Sequence, residues 1–218
     1  MSGRGAAGTS IPAADRQMHR ASSIRPVTLD DVVGLDRYEA LRDGIRQRVI
    51  ALKRNRRIGV GPEITFVFEN HDTVYFQIQE MLRAERITDL DAVRDELGVY
   101  NALLPRAGEL SATMLIEITA ADQVAERLLR FLGIDEAVWL YIGSGHRIGA
   151  SFEPGRSRAD KLSAVQYVRF VIPPAARGAF RDAAVPVRLA IEHPAYQAAT
   201  ALEGGVRASL CEDLRAET

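Results

Sequence analysis

Between Thr73 and Ile87 the chain reads TVYFQIQEMLRAERI. At 100° per residue, Val74, Tyr75, Ile78, Met81 and Leu82 fall on one side, the i, i+3, i+4, i+7 stripe of a core-facing helix. Gln77, Gln79, Glu80, Arg83 and Arg86 occupy the other side. Glu85 breaks the pattern: it falls on the apolar side, where a carboxylate needs a place beyond the core or a buried partner. Asp72 stands at the expected N-cap. The same periodicity predicts a helix over residues 36–55, with Tyr38, Leu41, Ile45, Val49 and Leu52 buried, and another over residues 90–101 behind Asp89. Thr28 is placed to cap a short helix that opens on Asp30 and Asp31.

A period of two marks the strands. Residues 58–60, the Gly61-Pro62 turn and residues 63–69 predict a hairpin, with Ile64, Phe66 and Phe68 on one face and Glu63, Thr65, Val67 and Glu69 on the other. Beyond Pro105, strands are expected at 109–119, 137–143, 146–152, 164–172 and 185–192. Helices are expected at 121–132, closed by Gly133, at 174–182 and at 205–216. In the first of these strands Leu110, Ala112, Met114, Ile116 and Ile118 oppose Glu109, Ser111, Thr113 and Glu117. The order β-α-β, one extra strand, β-α-β is that of a split βαβ unit. The expected fold is therefore α+β: N-terminal helices with a β-hairpin packed on a mainly antiparallel sheet, and a ferredoxin-like C-terminal part with an inserted strand. Residues 1–26 carry the composition of a disordered tail, and 27–218 form a single domain with a helical and hairpin part (27–106) and a ferredoxin-like part (107–218).

Composition narrows the function. Basic residues number 28 and acidic residues 29, so the net charge of -1 supplies no field for nucleic acid or an anionic membrane. One cysteine, Cys211, excludes an intramolecular disulfide and any Cys-rich metal or iron–sulfur site within the chain. No apolar run approaches the roughly 20 residues needed to span a bilayer, and no secretory h-region opens the chain. Together these features point to a cytoplasmic setting.

Several residues carry candidate chemistry, each beside a plainer alternative. The polar face of the 73–87 helix is either solvated or presented to a ligand or partner. The run Lys53-Arg54-Asn55-Arg56-Arg57 offsets a helix macrodipole, or holds a phosphate or carboxylate. Arg169 pairs with Glu85 at the edge of the core, or forms an anion site with Lys161. His193, beside Glu192, is a turn cap or an acid–base group. Gly143-Ser144-Gly145-His146 lacks phosphate-loop spacing and predicts a hairpin turn. His71, His146 and His193 are scattered, so no spacing supports a metal site, and no cofactor is expected.

The string Phe76-Gln77-Ile78-Gln79-Glu80-Met81-Leu82-Arg83-Ala84-Glu85-Arg86, with Tyr100-Asn101, Asp160-Lys161-Leu162-Ser163-Ala164-Val165 running into Arg169-Phe170, and His193-Pro194-Ala195-Tyr196, resembles the bacterial DUF3501 family. The resemblance runs from Val27 to near the C-terminus. It implies a protein of a family without assigned function, whose members resemble companions of rubrerythrin-like proteins and iron–sulfur oxidoreductases. Since the chain's single cysteine cannot ligate a cluster, the resemblance implies an accessory role beside a redox or iron–sulfur partner. The leading expectation is thus an accessory or binding protein with Gln77, Glu80, Arg83, Glu85, Arg86, Lys161, Arg169 and His193 as candidate binding residues. The alternative is an enzyme or small-anion-binding domain in which Glu, Arg, Lys and His converge in one pocket. A third reading is a homodimer with a mainly structural role.

Overall fold

The computed structural model describes residues 24–154, 157–158 and 161–215; residues 1–23 of the tail expected over 1–26, and part of the charged stretch around Asp160, lie outside them. Order begins earlier than expected. Ile24 is buried, and Arg25 forms an ion pair with Asp31 at 2.8 Å. Thr28 starts a turn and not a helix, because Asp31 accepts hydrogen bonds from both its backbone N and its hydroxyl.

Three helices follow the predicted periodicity: α1 (Leu35–Lys53), α2 (His71–Ala84) and α3 (Leu90–Asn101). Asp89 caps α3 as expected. At α2 the cap is Asn70, two residues before Asp72, because Asn70 and Thr73 form a reciprocal capping box. Tyr38, Ile45 and Val49 of α1 pack with Val74, Ile78 and Leu82 of α2 and with Val93 and Leu97 of α3, a first apolar cluster.

The strands form two antiparallel sheets. One holds β1 (Arg57–Val60), β2 (Ile64–Phe68), β3 (Glu109–Ile116), β9 (Val165–Val171) and β6 (Ser151–Phe152), in that order. The other is ordered β11 (Tyr196–Ala201), β10 (Val187–His193), β4 (Val138–Ile142) and β5 (His146–Gly149). A two-residue ladder joins β7 (Ser157–Arg158) to β8 (Lys161–Leu162). Helices α4 (Val124–Arg130), α5 (Pro174–Arg181) and α6 (Gly204–Asp213) complete the described elements.

The class is α+β, and every described ladder is antiparallel. The strands expected to share one split-βαβ sheet are divided between two. The segment expected as one strand over 146–152 breaks at Ala150, pairing first with β4 and then with β9. Phe66, Phe68, Leu110, Met114, Val168 and Phe170 of the first sheet meet Leu140, Leu189 and Ile191 of the second in a separate apolar cluster. The sheets are also stapled by polar contacts: the Tyr196 hydroxyl donates to Val60 O at 2.6 Å, and the Thr200 hydroxyl to Gly59 O at 2.7 Å. Gly61 turns β1 into β2 at a φ of 73°, and a Cβ there would collide with the Tyr196 hydroxyl.

Candidate functional site

The face of the five-stranded sheet turned away from the second sheet mixes polar residues with apolar ones such as Val67 and Tyr167. Ser111 and Thr113 of β3 and Arg169 of β9 occupy it, and Thr73 and Gln77 of α2 meet it from the helical side. Two apolar clusters are therefore separated by a hydrogen-bonded seam.

Glu69, at the end of β2, sits in this seam with 2% of its surface exposed. Its carboxylate accepts from the hydroxyls of Thr73 (2.5 Å) and Thr113 (2.7 Å) and from Gln77 Nε2 (3.1 Å). Its backbone carbonyl accepts from Arg56 Nη2 at 2.9 Å. The Arg56 guanidinium is itself paired with Asp213 at 2.5 Å, both side chains being 1% exposed. No cation is paired with the Glu69 carboxylate among the described residues. Glu69 was legible only as one member of an alternating strand. The signal that could have found it is the spacing Glu69, Thr73, Gln77, three polar residues four apart on one side of a strand-to-helix junction.

Two cavities open near the seam, an inner one between helices and sheet and an outer one among the helices. The inner one, about 380 Å³, is lined by Tyr100, Leu103, Ser111, Phe152, Tyr167 and Arg169, among others. The outer one, about 330 Å³, is lined by Lys53, Phe76, Gln77, Glu80, Met81 and Glu85. Tyr100 lines both. Burial, with Glu96 and Tyr167 nearby, raises its phenol pKa above the ordinary value.

The eight residues singled out from sequence fall into separate settings. Gln77, Glu80 and Glu85 share the outer cavity. Glu80 accepts from the Tyr38 hydroxyl and from Arg42 Nε (each 2.8 Å) and Nη2 (2.7 Å), and Arg83 lies 3.6 Å away. Hydrogen bonding by Arg42 is the largest influence holding its pKa down to about 2. Arg83 also faces Glu39 at 3.9 Å. Glu85 is not buried: α2 ends there, so the carboxylate turns out to solvent and requires no core partner. Arg86 follows in the left-handed region at a φ of 54°, where Ile87 N reaches back to Leu82 O at 2.9 Å and closes the helix.

The pairing of Arg169 with Glu85 is corrected. Arg169 binds Glu109 at 3.0 Å and donates to the carbonyls of Leu104 (2.9 Å) and Ala102. It thus anchors the end of α3 to β9. The side chain of Lys161 lies outside the described residues. His193 stands apart, holding a turn: Nε2 donates to Leu132 O at 2.9 Å, which leaves Nδ1 to accept from Ala195 N at 3.2 Å. Of the basic run after α1, Arg56 meets the buried Asp213 carboxylate and Arg57 meets Glu117 at 2.6 Å.

Among the described residues, no group of three or more His, Cys, Asp or Glu is placed to hold a metal ion, and no helix is long and apolar enough to cross a membrane.

A helical layer laid on the polar face of an antiparallel sheet, with a cleft at the junction, defines an α+β protein organised around an interlayer cleft. The chain belongs to the family described as protein of unknown function (DUF3501), whose sequence pattern matches residues 26–214. It is similar to a crystal structure of a protein of unknown function from Burkholderia pseudomallei K96243, with 32% sequence identity and a TM-score of 0.82. That match covers 87% of this chain and 100% of the other. No curated protein matches the sequence.

Proposed function

We propose that this chain is an accessory binding protein whose small-molecule ligand occupies the cleft between the helical layer and the five-stranded sheet. One observation carries the reading: the inner cavity is walled by the helical layer (Tyr100, Leu103) on one side and the five-stranded sheet (Ser111, Tyr167, Arg169) on the other, with aromatic and polar groups together, and it shares Tyr100 with the outer one. A layer interface serving packing alone favours apolar side chains, whereas a concave, partly aromatic site with a few convergent polar groups suits a ligand. The inner cavity, at about 380 Å³, suits a compact organic molecule. The exposed end of α2, with Arg83, Glu85 and Arg86, offers a rim for a protein partner. The family resemblance favours a redox or iron–sulfur protein in that place.

The alternative of an enzyme or anion site built from Glu, Arg, Lys and His has less support. Arg169 is already engaged by Glu109 and two carbonyls, and His193 by Leu132.

The test is extraction of natively purified protein and mass spectrometry of what is released, comparing wild type with Ala102→Trp. Ala102 is exposed and lines the inner cavity, so an indole there fills the cleft without entering the core. A compound that copurifies with wild type and is lost from Ala102→Trp supports the reading. Identical extracts from two equally folded proteins would sink it. Capture from the native host that recovers no redox protein would remove the partner assignment.

A further inference from the structure

The cleft reading leaves open what kind of molecule is bound, and the charges around the seam bear on it. The Glu69 carboxylate is buried and lacks a paired cation among the described residues, since the nearby Arg56 guanidinium is held by Asp213. Its neighbours connect it to both cavities. Gln77, which donates to it, lines the outer one. Glu69 N donates to the carbonyl of Ser111, which lines the inner one, at 2.8 Å. The Arg169 guanidinium in the inner wall is offset by Glu109. Behind the inner cavity thus lies a buried carboxylate with no paired cation among the described residues, in a setting where water screens charge little; the Lys53 ammonium lines the outer cavity and not the inner one.

The walls supply the second, independent observation. Tyr100, Tyr167 and Phe152 line the inner cavity, and Phe76 joins Tyr100 in the outer one. Aromatic faces attract cations through the ring quadrupole, most strongly for weakly hydrated organic ammonium groups. An anion would gain nothing from such rings and would be repelled, through the wall, by the Glu69 carboxylate.

We propose that the cleft binds an organic ammonium ion, its cationic head set against Tyr100 and Tyr167 and drawn there by the buried Glu69 carboxylate. The assignment rests on the cleft reading above and names the ligand class for it. An amine or quaternary ammonium carried on a small apolar body fits both the charge and the walls. The hydrogen bonds that Thr73, Thr113 and Gln77 give Glu69 keep the carboxylate in place while the cleft is empty.

The experiment is titration calorimetry of the full chain with three probes of similar shape: benzyltrimethylammonium, phenylacetate and benzyl alcohol. Expected is saturable binding of benzyltrimethylammonium, at least about tenfold tighter than either other probe. Glu69→Gln should weaken that binding about tenfold. Tyr100→Leu, which leaves the seam's hydrogen bonds untouched, should weaken it comparably and keeps the test decisive if Glu69→Gln folds poorly. Phenylacetate binding as tightly as the ammonium probe overturns the charge assignment, as does ammonium binding that both variants leave unchanged, or silence from all three probes. Such a failure is distinguishable from failure of the cleft itself, which the Ala102→Trp extract reports independently of charge.

Discussion

Arg56→Met perturbs the most deeply buried ion pair described in the molecule. Arg56 donates to the carbonyls of Phe68 (2.8 Å) and Glu69 (2.9 Å), to the Ser209 hydroxyl (3.0 Å) and to Asp213 (2.5 Å), with both charged side chains 1% exposed. Methionine fills much of the volume and removes all of those donors, the charged pair with Asp213 among them. Breaking a buried pair from one side costs about 3–5 kcal/mol, because the remaining charge loses its partner without regaining water. For a chain of this size that corresponds to a fall of roughly 10 °C in Tm. Urea unfolding followed by circular dichroism, with calorimetry for the Tm, measures it. Adding Asp213→Leu to Arg56→Met should recover part of the loss, since the double variant leaves neither charge buried alone. A single variant within about 1 kcal/mol of wild type, or a double variant that loses the sum of the two single losses, would refute the reasoning.

Glu80→Gln tests a pH dependence. The pKa of Glu80 is lowered to about 2 in the folded protein, so between the ordinary carboxylate value near 4.5 and 2 the unfolded chain binds more protons. Its contribution is fully present above the upper value and is lost as pH falls through the window. Wild type should be more stable than Glu80→Gln at neutral pH and converge with it near pH 2; a gap that stays constant would contradict this. Arg86→Gly should raise stability by roughly 1 kcal/mol, since glycine occupies the left-handed region without steric cost; a loss in urea unfolding would show that the Arg86 side chain matters more than its backbone. Cys211 is buried, and burial pushes its thiol pKa up. It should react with a thiol reagent at pH 8 only at the rate of unfolding, and rapid labelling of native protein would contradict this.

Helices α2 and α3 were legible because a 3.6-residue period survives any tertiary arrangement, and α3 falls where its cap and stripe place it. The alternation of β2 and β3 likewise marked the face that packs between the sheets. Strand β11 was not legible. Its sequence, YQAATA, has little of the β-branched or aromatic content that signals a strand, and it is held by pairing along the whole of β10 and by the Tyr196 and Thr200 staples. Division of the strands between two sheets depends on one break at Ala150, which no local pattern announces. Within the candidate site, the polar face of α2 was visible from sequence and supplied Gln77 and Glu80. Glu69 and Asp213 were missed because a carboxylate on an alternating strand, or near the end of a terminal helix, looks solvated until distant residues bury it.

The polar seam has a mechanical consequence. Two separate oily interiors give the molecule two cohesive bodies, and beside the ring of Tyr167 much of what crosses between them is directional: the Thr73 and Thr113 hydroxyls on Glu69, and Arg169 on the end of α3. Parting such a junction exposes groups that water can satisfy in place of the protein, so the helices can lift from the sheet at far smaller expense than splitting either interior would demand. On the proposed reading, the bonds that hold the two bodies together would also be the ones that yield when a guest enters the cleft.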